Sequence, residues 1–511
     1  MDHLTKDDLA QMDRAYFQGL DHEILIDVAC KLRDLSTELL ERLDEDSSNS
    51  SKPPSSDNPY KKGKGRNSAS NDDDTESCKT EDGGKGSCES GEVAGSLQSD
   101  EPKRSAGRQP GSQGFWRSET PVPEKTIAHY PQHCAVCEKE LDVSESSKPY
   151  MGYYVFELEK TQSGIRIICA LHHYYALECR CGHETKACAG EGYISCVEGR
   201  KRDLKLTDYT MVGPMLATFL AALSVRYRMS REKIREYVSY WLSTALLVGT
   251  IDKCIREAGI ACFPVVEELV EELQEEEVVH LDETPWYEKG SLKWLWVAIS
   301  SITAVFYVGT RKKGELLNLI TSAFIGWLVS DGYGAYRSRE RRQRCLAHLI
   351  RKAIALTGAV DEKAQKMGDW LLRELRGLIK AMAEHGEDGT SKCSPVLARL
   401  KKACDLGSYE NHPKLRALAR EILNDWDAVV AFVKNPGLPP TNNEAERALR
   451  HAVISRRISF GTRTPEGSRA YAALLSVIET CRLRGQDPWI YITQTIALAR
   501  KGIAPALIPL K

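Results

Sequence analysis

VVHLDETPWYEKGSLKWLWVAISSITAVFYVGT (residues 278–310) reads as three successive strands. The runs VVHLD, LKWLWVAIS and AVFYVGT each have strand length and are rich in β-branched and aromatic residues. Short turn segments at 288–291 and 300–303 separate them, as in an antiparallel meander. Residues 314–323 are expected to follow as a helix, GWLVSD (326–331) as a fourth and buried strand, and RQRCLAH (342–348) as a fifth.

Two antiparallel strands leading away from the first, then a helix crossing to a strand parallel with it, give the ribonuclease-H-like order. The ends of strands one and four then meet at one sheet edge. Both end in aspartate: Asp282 and Asp331, 331 − 282 = 49 positions apart in sequence, would project side by side. A third carboxylate follows in TNNEAERALR (441–450), which holds Glu444 and Glu446 and reads as a helix. A cage of hard carboxylate oxygens suits Mg²⁺ or Mn²⁺. Two such ions about 4 Å apart can activate a hydroxyl and stabilise the leaving oxygen of a phosphodiester. The chemistry implied is cleavage and transfer of nucleic-acid strands.

At 511 residues the chain should hold about three or four units. Its hydrophobic content of 42% suffices for real cores, and its formal net charge of −2 hides an uneven distribution. Residues 71–102 and 267–277 are acidic, whereas 337–344 and 447–469 are rich in arginine. Local basic surface therefore carries the nucleic-acid argument. Sixteen cysteines over so long a chain do not form a secreted disulfide framework. The start, MDHLTKDDLAQMD, lacks a basic stretch followed by an apolar core, and the longest apolar run, PMLATFLAALSV (214–225), is too short for a bilayer. The expected setting is cytoplasmic, with reduced thiols and no membrane contact.

Residues 22–43 read as an amphipathic helix with Leu25, Val28, Leu32, Leu35 and Leu39 at heptad spacing, suited to dimerisation or to packing on its own domain. Residues 46–120 are dominated by Ser, Asp, Gly, Lys and Pro and cannot bury enough apolar surface to fold. Within them KKGKGR (61–66) fits either a phosphate contact or a solvated linker. Cys134, Cys137, Cys179 and Cys181 flank a hairpin-like stretch, as in a structural zinc site. The second pair has one residue between its cysteines where two is usual, which leaves His183 and Cys188 open as replacements. Cys169 and Cys196 read as buried thiols. Helices are expected over 215–226, 230–240 and 243–257, with Ser230 and Ser243 as N-caps. The pattern fits a helix-turn-helix and an ordinary bundle equally. Residues 350–435 read as a helical insertion, with patterns over 369–383 and 415–433.

KPPSSD (52–57), GRQPGSQG (107–114), LDET (281–284), SDGYGAY (330–336), CLAHLIRK (345–352), NNEAER (442–447) and LLSVIETCRLRGQDPWIY (474–491) together resemble, in content and order, the transposases of the insertion sequence 66 family. The resemblance runs over nearly the whole chain. It implies a ribonuclease-H-like fold with an Asp-Asp-Glu metal triad, whose aspartates fall on Asp282 and Asp331. The family motif, Asn-Asn, two variable residues, then Glu-Arg, selects Glu446. Residues two apart on a helix lie about 200° apart, so only one glutamate can face the aspartates, and Glu444 becomes a surface charge. Arg447, Arg450, Arg456, Arg457 and Arg463 are candidate phosphate contacts, some of them serving salt bridges instead. His348 fits a phosphate contact, a group that orients the sheet edge, or a satisfied core histidine.

The expected plan is a multidomain α+β/α/β chain. It comprises an N-terminal helical or coiled-coil segment (1–45), a disordered linker (46–120), a zinc-ribbon-like segment (121–200) and a helical DNA-binding region (201–275). A ribonuclease-H-like core (276–349 and 436–480) interrupted by the insertion (350–435), and a C-terminal tail (481–511), complete it. Expected cofactors are Mg²⁺ (or Mn²⁺) and structural Zn²⁺. Expected partners are double-stranded DNA (element ends and target), further copies of the chain, and accessory proteins of the same element. A DNA-binding protein without catalysis and a metal-dependent nuclease without strand transfer are the competing functions.

Overall fold

The computed structural model describes residues 17–19, 21–44, 120–143, 148–195, 204–386 and 389–510. The linker, with KPPSSD, KKGKGR and GRQPGSQG, lies outside the described residues, as does Cys196. His22–Asp44 is a helix on which Leu25, Val28 and Leu32 are the more sheltered of the described side chains.

A first sheet follows, made by β1 (Lys125–His129), β2 (Pro149–Thr161), β3 (Gly164–Glu178) and β4 (Glu184–Lys186). β3 is central, parallel to β1 and antiparallel to β2 and β4. β5 (Glu191–Ser195) and β6 (Leu204–Thr207) form a separate antiparallel pair. Glu157 on β2 accepts the backbone N–H of Leu216 at 2.8 Å, at the start of the helix Pro214–Val225. A carboxylate there meets both an orphan amide and the positive end of the helix dipole.

The helices Pro214–Val225, Arg231–Trp241, Val248–Ala261 and Phe263–Gln274 come next. Ser230 caps the second, as expected, by accepting the Lys233 amide. Ser243 does not cap the third. It sits at φ 50°, and that helix begins at Val248, because residues 243–247 run non-helically and carry Leu246 into the core. Gly259 lets this helix cross Pro465–Leu483 closely: a Cβ there would come within 2.5 Å of the Ala470 Cα.

A second sheet of five strands follows. β7 (Val278–Glu288), β8 (Ser291–Ile299) and β9 (Ala304–Gly309) are antiparallel. The β7–β8 turn holds Lys289 at φ 50° and Gly290 at φ 81°, a handedness that matches the twist of the strands. β10 (Trp327–Ser330) is parallel to β7, pairing Ser330 with Leu281, and β11 (Arg342–Arg344) is parallel to β10. Two expectations need correction. Between β9 and β10 there is no helix over 314–323 but a short 3₁₀ turn, Lys313–Asn318. Glu315 fixes it by accepting from the Thr310 amide and hydroxyl and the Tyr307 hydroxyl. The fifth strand is three residues long, because Cys345 already caps the helix Leu346–Thr357.

That helix continues into Glu362–His385, Gly389–Gly407, Pro413–Asn424, Trp426–Val429 and Ala431–Lys434, which share a core of Leu349, Leu371, Leu375, Leu400, Leu415 and Phe432. The helix expected over 415–433 is broken at Asp425, whose carboxylate turns to pair with Arg342 and Arg344 of β11. Asn443–Ser459, Pro465–Leu483 and Pro488–Arg500 complete the chain. Side chains of Pro465–Leu483 close the free edge of β9: Ser476 accepts the Phe306 amide, and Thr480 bonds both backbone groups of Ala304. An edge strand so covered offers no template for another chain. Among the described residues no helix is long and apolar enough to cross a membrane.

Candidate active site and metal centre

β7 and β10 run in the same direction with Ser330 opposite Leu281, which sets Asp331, just past the end of β10, beside Asp282; β7 does not end there as expected but stays paired with β8 as far as Glu288. Asp282 accepts the Glu283 amide at 2.9 Å, and Asp331 accepts the Tyr333 amide at 2.8 Å. Burial, and then the charges of Glu283, Asp331 and Glu446, push the Asp282 carboxyl well above its ordinary range. Three like charges converging on a sheltered carboxylate make a site whose electrostatics favour a bound cation.

The glutamate helix is fastened to β7 by Asn442, which is fully buried. Its amide nitrogen donates to the Leu281 carbonyl at 2.7 Å. Its carbonyl oxygen is 3.2 Å from His280 Nδ1, which therefore carries the proton. Burial lowers the His280 pKa, so the ring is a neutral donor. The Asn442 backbone N–H points to Cys345 Sγ at 3.1 Å. One turn on, Glu446 faces inward. Arg351 Nη2 lies 3.1 Å from its carboxylate, and His348 Nδ1 3.7 Å. Glu444 instead pairs with Arg447 at 3.2 Å on the outer surface.

Cys345, His348 and Glu446 bring one ligand atom each within 4.8 Å of one another. Burial raises the Cys345 thiol to about 11, and the sulfur already holds an amide, which makes it a poor ligand for a hard cation. Asp282, Asp331 and Glu446 are not gathered as tightly as that set. Oxygens that serve two ions about 4 Å apart need not be.

The sequence did not single out Glu283, Asn442 or Arg351 as parts of this site, and it left the role of His348 open. The Glu283 side chain is 1% exposed, accepts from Arg311 at 2.8 Å and from the Tyr336 hydroxyl, and its pKa is pushed upward by burial and by Asp331. Alternation along β7 placed it on the face away from Asp282, and so hid it. The arginines after Glu446 divide. Arg456 donates to Thr284 Oγ1 at 2.9 Å and to the Pro285 carbonyl, an internal brace of β7. Arg447, Arg450, Arg457 and Arg463 are exposed.

A second centre lies at the end of the first sheet. Cys134, Cys137, Cys179 and Cys181 place their sulfurs within 4.8 Å of one another, with Cys134–Cys181 at 3.7 Å and Cys137–Cys179 at 3.4 Å. Sulfurs about 2.3 Å from one tetrahedral zinc lie at comparable separations. The one-residue gap is accommodated by a tight turn. Cys179 N–H donates to the His183 carbonyl, and Gly182, at φ 81°, donates back to Cys179. Cys188 points at the Lys186 carbonyl and is outside the set, as is His183. Cys169 is buried, as expected.

Residues 211–470 match the model of the family described as Transposase IS66 family. Among curated proteins, the uncharacterized protein y4qI of Sinorhizobium fredii (strain NBRC 101917 / NGR234) is 26% identical over 270 residues, 46% of this chain and 50% of that protein. The uncharacterized protein y4jD of the same organism is 26% identical over 196 residues, 34% of this chain and 38% of that protein. A third, y4hP, is 36% identical over 76 residues, 15% of this chain and 14% of its own length. The chain thus spans half or less of the length of these relatives.

Proposed function

This chain belongs to the IS66 transposase family, and we propose that it cuts and rejoins DNA at a two-metal site held by Asp282, Asp331 and Glu446. The observation that carries the reading is the β7–β10 register together with the Asn442 clamp, which bring the charges of Asp331 and Glu446 to bear on Asp282. The strand order β11-β10-β7-β8-β9 supports a ribonuclease-H-like core. In that reading residues 276–349 and 436–480 form the core, and the helices between them flank the site.

When bound, two Mg²⁺ or Mn²⁺ ions would activate the attacking oxygen and stabilise the leaving one. The chain's own part is to place the carboxylates and guide the strand. Hydrolysis would break one phosphodiester and leave a 3′-hydroxyl. That hydroxyl would then attack a target phosphodiester, so that one bond forms as one breaks. Arg351 orients Glu446 with His348 beside it, and Arg447, Arg450 and Arg457 offer exposed guanidiniums on the same helix as Glu446. The zinc segment and the helices before β7 would hold the element ends, and the N-terminal helix would join copies.

The test is metal-dependent cleavage of a labelled duplex by wild type, Glu446→Gln and Glu444→Gln. Cleavage should fall about 10³-fold in Glu446→Gln, roughly 4 kcal/mol of barrier, and change less than about threefold in Glu444→Gln, a surface ion pair. Loss confined to Glu444→Gln would move the third ligand. Absence of cleavage in wild type, with DNA still bound, would favour a DNA-binding protein without catalysis.

A further inference from the structure

Arg311 stands at the rim of the candidate site and is held on several sides. Its guanidinium carbon is 4.1 Å from the centre of the Trp294 ring and 4.2 Å from that of Tyr333. Its Nε and Nη2 donate to one oxygen of Glu283, at 3.1 and 2.8 Å. The Tyr333 hydroxyl donates to the Arg311 carbonyl, which ties the ring to the backbone it covers. Glu283 follows Asp282 directly, and Tyr333 is the residue whose amide Asp331 accepts. The guanidinium is therefore positioned by the residue next to Asp282 and by the residue two beyond Asp331.

The planar group offers two hydrogen-bonding edges, and Glu283 takes the one formed by Nε and Nη2. The end-on edge, Nη1 with the second proton of Nη2, makes no hydrogen bond to a described residue, and the side chain is 40% exposed. A guanidinium fixed by stacking and by a buried carboxylate loses little entropy when it binds again. Its free fork matches two oxygens of a phosphodiester. Four carboxylates lie close by, so a DNA strand approaching this edge meets net negative charge unless a fixed cation stands there.

Resting on the transposase reading, we propose that Arg311 is a phosphate clamp whose end-on fork takes one backbone phosphodiester of the DNA strand lying across the end of β10 and the neighbouring Asp282 of β7. A brace that served Glu283 alone would matter for folding and leave DNA affinity untouched. The test is fluorescence anisotropy on a labelled duplex, without divalent metal, over a series of KCl concentrations, for wild type, Arg311→Gln and Arg311→Lys. Arg311→Gln should bind about tenfold more weakly, with the log–log salt slope shallower by about 0.9, the value of one phosphate contact. Arg311→Lys should keep the slope and lose about threefold in affinity, because it keeps the charge but not the fork. Thermal melts followed by circular dichroism identify any variant that fails to fold. If Arg311→Gln does, Arg311→Lys decides, since unchanged affinity there overturns the clamp. Unchanged affinity and slope in a folded Arg311→Gln overturn it too. Failure of wild type to bind any duplex would instead overturn the transposase reading beneath it.

Discussion

Asp282→Asn is expected to abolish metal-dependent cleavage and, at the same time, to make the metal-free protein more stable. The activity should fall about 10³-fold or more, because the residue at the meeting point of the other acids loses its charge. The stability gain follows from the sign of its pKa shift. Burial and three neighbouring carboxylates raise the folded-state pKa of Asp282 above its unfolded value, and Glu283 is raised likewise. The folded chain then holds protons more tightly than the unfolded chain. The stability these two groups contribute is fully present below the ordinary carboxylate range and is lost as pH climbs through the raised values. Asparagine removes one repelling charge, so the melting temperature at neutral pH should rise by several degrees without metal. Mg²⁺ should raise the melting temperature of wild type more than that of the variant. A variant that is merely unfolded would lose activity with a lower melting temperature, and that result would sink the assignment.

Removal of zinc carries the second large effect. The core around the four cysteines comprises Cys134, Leu141, Leu177 and Cys179, with Tyr130 and Cys137 against it. So little apolar surface would not hold two turns in place, and a zinc ion on the four sulfurs would have to. A structural zinc contributes on the order of 10 kcal/mol of apparent binding energy at neutral pH. The wild-type protein should carry one zinc per chain by elemental analysis. Cys179→Ser, or a strong chelator, should raise hydrogen exchange sharply over residues 130–142 and 177–188. Residues 155–158 should stay protected, since Phe156 bonds Met211 and Gly213 and Glu157 holds the Leu216 amide. β7 to β9 should be unaffected. Protection unchanged after complete loss of zinc would show that the cysteines are only packed together.

The features legible in the sequence are those that periodicity and punctuation express. The three strands from Val278 to Gly309, and the aspartates closing β7's apolar start and β10, announce themselves because apolar runs and turn residues alternate at strand spacing. The four cysteines were legible as a set, although the turn at Gly182 that makes Cys181 usable was not. What stayed hidden depends on contacts distant along the chain. NNEAER shows two asparagines, yet nothing local says that Asn442 will reach the carbonyl of Leu281, 161 positions away. His348 and Arg351 sit in a helix whose apolar pattern gives no hint that they flank Glu446. The turn at 313–318 looked like a helix because its residues are good helix formers, and the bonds made by Glu315 overrule that propensity. Arg456 looked like its exposed neighbours until β7 came to lie beside it.

Strand joining tests the central claim most directly. A duplex from the DNA flanking the coding segment, labelled on the strand that would end in the 3′-hydroxyl, is incubated with supercoiled plasmid, Mg²⁺ and the protein, alone and with the accessory proteins of the element. The account predicts that label becomes covalently joined to the plasmid with wild type and does not with Asp282→Asn. Nicks without joined product under every condition would mark a nuclease and contradict it.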